Sequence, residues 1–335
     1  MASQKEDMAS QKEDMASQKE MASNQMASYQ MNSNKVIVTV APTGGMAGKK
    51  QNPNLPTQPE EIAESVYRSY NEGASVVALH ARRPDDQATC NPAIYGRINQ
   101  LIRARCDIVL NNSTGGGING DMVRDLRPGL QEMIFEERLK GAEAPLVEMV
   151  TFDAFTCLTG FSGHQMLMLT DGERSRKMAE YFRAKNVKPE WEVFTTAHIL
   201  QHVTQLIEAG FDKPPYYINM VLGAHVGFEG VNPYTPKIMQ NMVDHMPKDS
   251  IFCVSAIGQS QLRATTMAIL LGGHVRVGLE DNNYYAKGQL ATNEMLVART
   301  VRIIRELGYE VASPTEAREI LGLAPVAKVA RSAAE

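Results

Sequence analysis

Eight short runs rich in β-branched residues, each followed by a stretch of helical periodicity, constrain this chain more than any other feature. The runs are KVIVTVA (35–41), ASVVALH (74–80), DIVLNNS (107–113), PLVEMVTF (145–152), EWEVFTT (190–196), YYINMVLG (216–223), SIFCVSAIG (250–258) and HVRVGLE (274–280). Strands separated by helical crossovers re-enter a sheet in the same direction, so the sheet is parallel. Helical periodicity is clear over 60–71, 92–105, 173–185, 197–209 and 261–271. Gly73, Gly210 and Gly273 stand where a left-handed residue closes such a helix. Eight regular units without a long interruption fit closure into one (β/α)8 TIM barrel better than an open doubly wound sheet.

The barrel is expected over residues 35–320 as a single domain, with 321–335 as a C-terminal extension. Residues 1–34 have a different texture, repeating MASQKED, MASQKED, MASQKE, MASNQ, MASYQ and MNSNK. Each unit offers one Met and at most one Ala, too little apolar surface to offset the entropy of ordering its backbone. This tail is expected to be disordered and to belong to no fold.

Charge excludes several function classes. Thirty-four basic against 38 acidic side chains leave a formal charge of −4, no footprint for nucleic acid or an anionic membrane. No apolar run approaches the roughly 18–20 residues that span a bilayer, and no apolar core of a secretory signal opens the sequence. Cys90, Cys106, Cys157 and Cys253 form no C-x-x-C pair, which argues for a reducing compartment and a cytoplasmic protein.

In a barrel the chemistry lies at the C-terminal ends of the strands. Those ends deliver Thr43-Gly44-Gly45, His80 to Asp86, Asn111 to Gly117, Thr151 to Asp153, Thr195, Thr196, His198, His225, Ser255, Gly258, and Arg276, Glu280, Asp281 and Asn282. Arg276 and Glu280 share a strand face, with Gly278 leaving space between them. Such a pair can simply brace the rim, but Asp281 beside it weighs against that reading. His80 alone is an ordinary core histidine; with Glu280 across the mouth it becomes half of a candidate metal site. STGGGINGD (113–121) contains G-x-G-x-x-G at Gly115, Gly117 and Gly120, yet Met122–Lys140 reads as helix rather than the strand a dinucleotide site requires. Its amides can still hold a carboxylate. His198 and His202, four apart, read as a surface pair. No G-x-S-x-G elbow supports a hydrolase.

KVIVTVAPTGG, HARRPDD, NNSTGGG and above all GGHVRVGLEDN resemble the β-keto acid cleavage enzyme family, typified by 3-keto-5-aminohexanoate cleavage, from about Lys35 to beyond Pro314. The resemblance implies a zinc-dependent, or otherwise divalent-metal-dependent, acyltransferase. A β-keto acid and acetyl-CoA would give acetoacetate and a new acyl-CoA through a metal-stabilised enolate. It further implies Glu280 and His80 as metal ligands, Asp281 as the base, Arg276 as its partner, and Ser113, Thr114 and Gly115 as the loop holding the substrate carboxylate. Thr151 and Asp153 complete the expected substrate site, and a homo-oligomer is expected.

Three positions depart from the family pattern. Its His-x-His reads Ala78-Leu79-His80 here, so the first metal ligand is lost. Met46 stands where a glutamate is common, and Asp153 where an asparagine is usual. Water, Asp153 or His225 is expected to take the vacated place, Asp153 by preference. Two other functions stay open: a metal-dependent retro-aldol or decarboxylating lyase without CoA, and a non-catalytic barrel that binds a small acid.

Overall fold

The computed structural model describes residues 34–161 and 163–326. Residues 1–33 of the repetitive tail lie outside them. Eight parallel strands form a closed barrel: β1 (Val38–Val40), β2 (Val76–Leu79), β3 (Val109–Asn112), β4 (Met149–Phe152), β5 (Lys188–Val193), β6 (Tyr216–Leu222), β7 (Ser250–Ala256) and β8 (His274–Val277). Closure comes where β8 pairs with β1, Arg276 opposite Thr39. Each strand overlaps one of the eight runs, and the TIM barrel expected from them is the fold observed.

Strand periodicity sorts the side chains into two sets. Outward residues such as Val38, Val77, Leu110, Phe152, Trp191 and Val275 pack against the helices in the main core. Trp191 stacks on Phe152 with centroids 4.7 Å apart, and the Phe182 edge meets Phe152 at 5.3 Å. Inward residues Ile37, Val76, Val109, Met149, Tyr217 and Cys253 form a separate apolar plug at the bottom of the barrel. The helix Pro314–Leu321 closes that end with Ala317 and Leu321. The boundary expected after residue 320 therefore falls within this helix. His274 belongs to the same end: its Nδ1 accepts from the Ile37 amide at 3.1 Å, and burial lowers its pKa to about 4.

Above the plug the interior turns polar. Asn111, Thr151, Glu190, Asn219, Ser255 and Arg276 are all buried there. Such a layer is stable only if its members satisfy one another. Asn111 donates to Glu190, Ser255 donates to Asn219 at 2.8 Å, and Asn219 donates to Glu192.

Three local expectations are corrected. Met122–Lys140 is not a helix but a hairpin, Val123–Arg127 against Leu130–Met133, followed by the short helix Phe135–Leu139. Pro128-Gly129 makes its turn, with Gly129 at φ 77°. The left-handed closing residue before β8 is Gly272 at φ 80°, not Gly273. Gly273 is needed for close approach, since a Cβ there would lie 2.1 Å from the Phe252 ring. Finally, β8 stops at Val277, so Glu280 and Asp281 sit on the turn after it. There Gly278 packs against Ala41, whose carbonyl oxygen a Cβ would meet at 2.1 Å.

The hairpin matters for the site. It joins Cys157–Phe161 and His164–Met168 in a four-stranded sheet standing over the barrel mouth. A bridge from Thr159 to Phe228 ties it to the loop after β6.

Candidate active site

Arg276 organises the top of the barrel. Its guanidinium grips Asp281 with two bonds, Nε to Oδ2 at 3.0 Å and Nη2 to Oδ1 at 2.9 Å. The same group reaches Glu280 Oε1 at 2.5 Å and Glu192 Oε1 at 2.9 Å. One buried cation thus faces three carboxylates, and the turn after β8 folds Glu280 back over the strand to make this possible. On the far side His80 Nε2 lies 3.3 Å from Glu280 Oε1.

This arrangement gives the neighbouring carboxylates Glu280 and Asp281 opposite characters. Burial would raise Glu280, but Arg276 and His80 outweigh it and hold its pKa down to about 2. For Asp281 burial wins over Arg276, and the charge of Glu280 adds to it, so its pKa rises to about 6. A fixed anion therefore stands beside a carboxylate able to take and return a proton near neutral pH. Burial, with the charge of Asp153 adding, also raises Glu192 well above the usual range. Burial raises Asp153 against the pull of Arg138.

The other expected residues fall into two groups. Ser113, Gly115 and Asp153 line the cavity at the mouth together with His80, Arg276, Glu280 and Asp281. Thr114 and Thr151 are bound to each other instead: the Thr114 hydroxyl donates to the Thr151 carbonyl at 2.5 Å, and its amide to the Thr151 hydroxyl at 3.2 Å. They fix the Gly-rich loop, whose Gly115 amide donates to the Ser113 hydroxyl at 3.1 Å. His198 and His202 are not a surface pair. His198 is partly buried, stacked on Phe155 at 3.9 Å, with Nδ1 accepting from the Phe194 amide.

Three residues that the sequence reading passed over support the site. Glu192 contacts Arg276 and lines the cavity. Its signal was present: in EWEV the two glutamates alternate with apolar residues, so they share the inward face. Asn219 orients Glu192 from β6 in the same way. Arg138 is fully buried and donates to the Thr114 carbonyl, the Thr170 hydroxyl and the Asp153 carbonyl, tying the Gly-rich loop to the end of β4.

A metal ion at this mouth would need donors from His80, Glu280 and their neighbours. His80 Nδ1 lies 2.7 Å from the Gly116 carbonyl, which can only accept, so Nδ1 carries the proton. Nε2 then faces Glu280, whose Oε2 is buried without a hydrogen-bond partner. That is half of a centre. Among the described residues no group of three or more His, Cys, Asp or Glu side chains is arranged to hold an ion. Ala78, inward-facing and buried, brings no ligand, and Asp153 faces Arg138 at 3.9 Å. His225 is exposed and outside the cavity. These residues do not fit a zinc site with three protein ligands.

Comparison with known proteins decides the family, because the profile of the beta-keto acid cleavage enzymes matches residues 35–323. The chain belongs to the beta-keto acid cleavage enzyme family. It is 35% identical over 291 residues to the 3-keto-5-aminohexanoate cleavage enzyme of Acetoanaerobium sticklandii, covering 86% of this chain and 98% of that one. It is 33% identical over 299 residues to the 3-dehydrocarnitine:acetyl-CoA trimethylamine transferase of Rhizobium meliloti, covering 86% and 97%. Among solved structures ObcA, in a ternary complex with a C4-CoA adduct and oxalate, shares the fold with a TM-score of 0.65 at 18% identity. That match covers 81% of this chain and 68% of ObcA. For this member of the beta-keto acid cleavage enzyme family, residues 35–323 are the barrel described above, and no described helix is long and apolar enough to cross a membrane.

Proposed function

We propose that this protein condenses a β-keto acid with acetyl-CoA and cleaves the adduct to acetoacetate and a new acyl-CoA. One observation carries the reading: Asp281, raised to about 6, and Glu280, held at about 2, share Arg276 at one cavity mouth. Ser113 and the Gly-rich loop hold the substrate carboxylate through hydroxyl and backbone donors. Asp281 takes a proton from the carbon between carboxylate and ketone. Arg276, the fixed cation lining the cavity, offsets the charge of the resulting enolate.

The nucleophilic carbon then attacks the acetyl-CoA carbonyl, and the thiolate leaves. That thiolate attacks the original ketone, and the bond between ketone carbon and central carbon breaks. Acetoacetate recovers its proton from Asp281, and the remaining acyl group departs on CoA. Atoms balance, and CoA is conserved. Incubation with acetyl-CoA and a panel of β-keto acids, followed by mass spectrometry for new acyl-CoA species, tests this reading. A lyase that needs no CoA would instead consume the keto acid in the absence of acetyl-CoA.

No step of this scheme passes through a metal ion, because the donor set falls short of one. Purified protein is expected to retain well under one equivalent of zinc after dialysis. Ala78→His adds an imidazole on the face of His80 and should tighten retention at least ~10-fold. Metal content by mass spectrometry during a chelator titration reads this directly. Equal retention by both proteins would show that position 78 does not reach an ion.

A further inference from the structure

The cavity that contains Arg276 and Asp281 has two unlike walls. The charged wall consists of groups at the barrel strand ends, already described. The opposite wall is apolar and comes from elsewhere in the chain. Met133, Cys157, Met166 and Met168 descend from the four-stranded sheet over the mouth, and Phe155 and Phe194 rise from the ends of β4 and β5. These six are each less than 8% exposed and form an apolar cluster separate from both barrel cores. Phe155 meets Phe194 at 5.0 Å, and Phe194 stacks on Phe228 at 5.8 Å. Met46 and Ile257 extend the apolar surface at the rim.

Among the described residues no ionisable side chain interrupts this wall apart from the Cys157 thiol, which burial pushes up to about 12 and so keeps uncharged. His198, stacked behind Phe155, is also kept neutral by burial, with its pKa lowered to about 4. The cavity measures about 160 Å³. Thioethers and rings adapt to the shape of a hydrocarbon, but they offer no counter-charge to an ion stripped of water.

From this wall, and resting on the acyl-transfer reading above, we infer that the β-keto acid carries an uncharged hydrocarbon side chain beyond its ketone. The carboxylate and ketone face Arg276 and Ser113, while the side chain lies against Met133, Met166, Met168 and the phenylalanines. On this wall an ammonium or carboxylate tail would lose its water without gaining a counter-charge, so such tails are disfavoured there.

Three probes decide this: 3-oxo-5-methylhexanoate, its near-isostere 3-keto-5-aminohexanoate, and 3-oxoadipate, each with acetyl-CoA. The methyl compound is expected to show kcat/KM at least ~100-fold above either charged acid. Met166→Glu, which places a carboxylate on the apolar wall, should narrow or reverse the methyl-to-amino ratio. A charged acid turned over as well as the methyl compound would overturn the inference while leaving acyl transfer intact. If none of the three yields a new acyl-CoA, the acyl-transfer reading fails instead. Calorimetric binding of the same acids then decides the side-chain inference. Tightest binding of the methyl compound upholds it, and equal or absent binding overturns it.

Discussion

Arg276→Met is expected to lower the unfolding free energy by about 3–5 kcal/mol, the usual effect of removing one partner from a buried ion pair. Arg276 is 4% exposed and is bonded to Glu192, Glu280 and Asp281. Methionine matches much of its volume but leaves buried Asp281 and partly buried Glu192 and Glu280 without their shared cation. Protonating them or admitting water relieves only part of that penalty. Arg276→Lys keeps the charge but loses the two-pronged grip on Asp281, so it should fall between the two. Urea unfolding of the three proteins reads the order. A methionine variant within about 1 kcal/mol of the parent would mean that other groups hold the carboxylates.

Asp281→Asn is expected to lower kcat by about 10²- to 10⁴-fold with little change in KM, the contribution of a positioned general base. Asparagine is nearly isosteric, and Arg276 keeps Glu280 and Glu192 as partners, so the fold should survive. Circular dichroism and a melting curve check that survival alongside the kinetics. A variant retaining most of its kcat would move the base elsewhere, with Asp153, which lines the same cavity, next in line.

How far the sequence could be read depended on the kind of signal. Barrel strands announce themselves because a strand buried on both faces is a short β-branched run between helical stretches. The rule that catalytic groups gather at strand ends then picked out His80, Ser113, Asp153, Arg276, Glu280 and Asp281, which all line one cavity. The same rule missed Glu192, because it looks after the strand and this glutamate lies within it. Alternation in EWEV carried the missing information. The sheet over the mouth was harder. VRDLRPGLQEM has few apolar residues, and only Pro128-Gly129 marks it as a hairpin. Arg138 could not have been found, since FEERL has the composition of a surface helix while its arginine is 1% exposed. Contacts such as His80 with Glu280 join residues 200 positions apart, and no local pattern encodes them.

The departures from the family pattern also acquire physical content. Ala78 leaves one imidazole where a zinc site needs more, and Asp153 does not join His80 and Glu280 but faces Arg138. The remaining array joins Arg276 to Asp281, Glu280 and Glu192 by four hydrogen bonds.

Mass spectrometry of the CoA pool, after incubation of the parent protein with acetyl-CoA and 3-oxo-5-methylhexanoate, separates acyl transfer from its alternatives. A new acyl-CoA is expected in equal amount with acetoacetate, with no loss of the keto acid when acetyl-CoA is left out. Cleavage that proceeds without acetyl-CoA, or binding of the acid with no change in the CoA pool, would contradict acyl transfer.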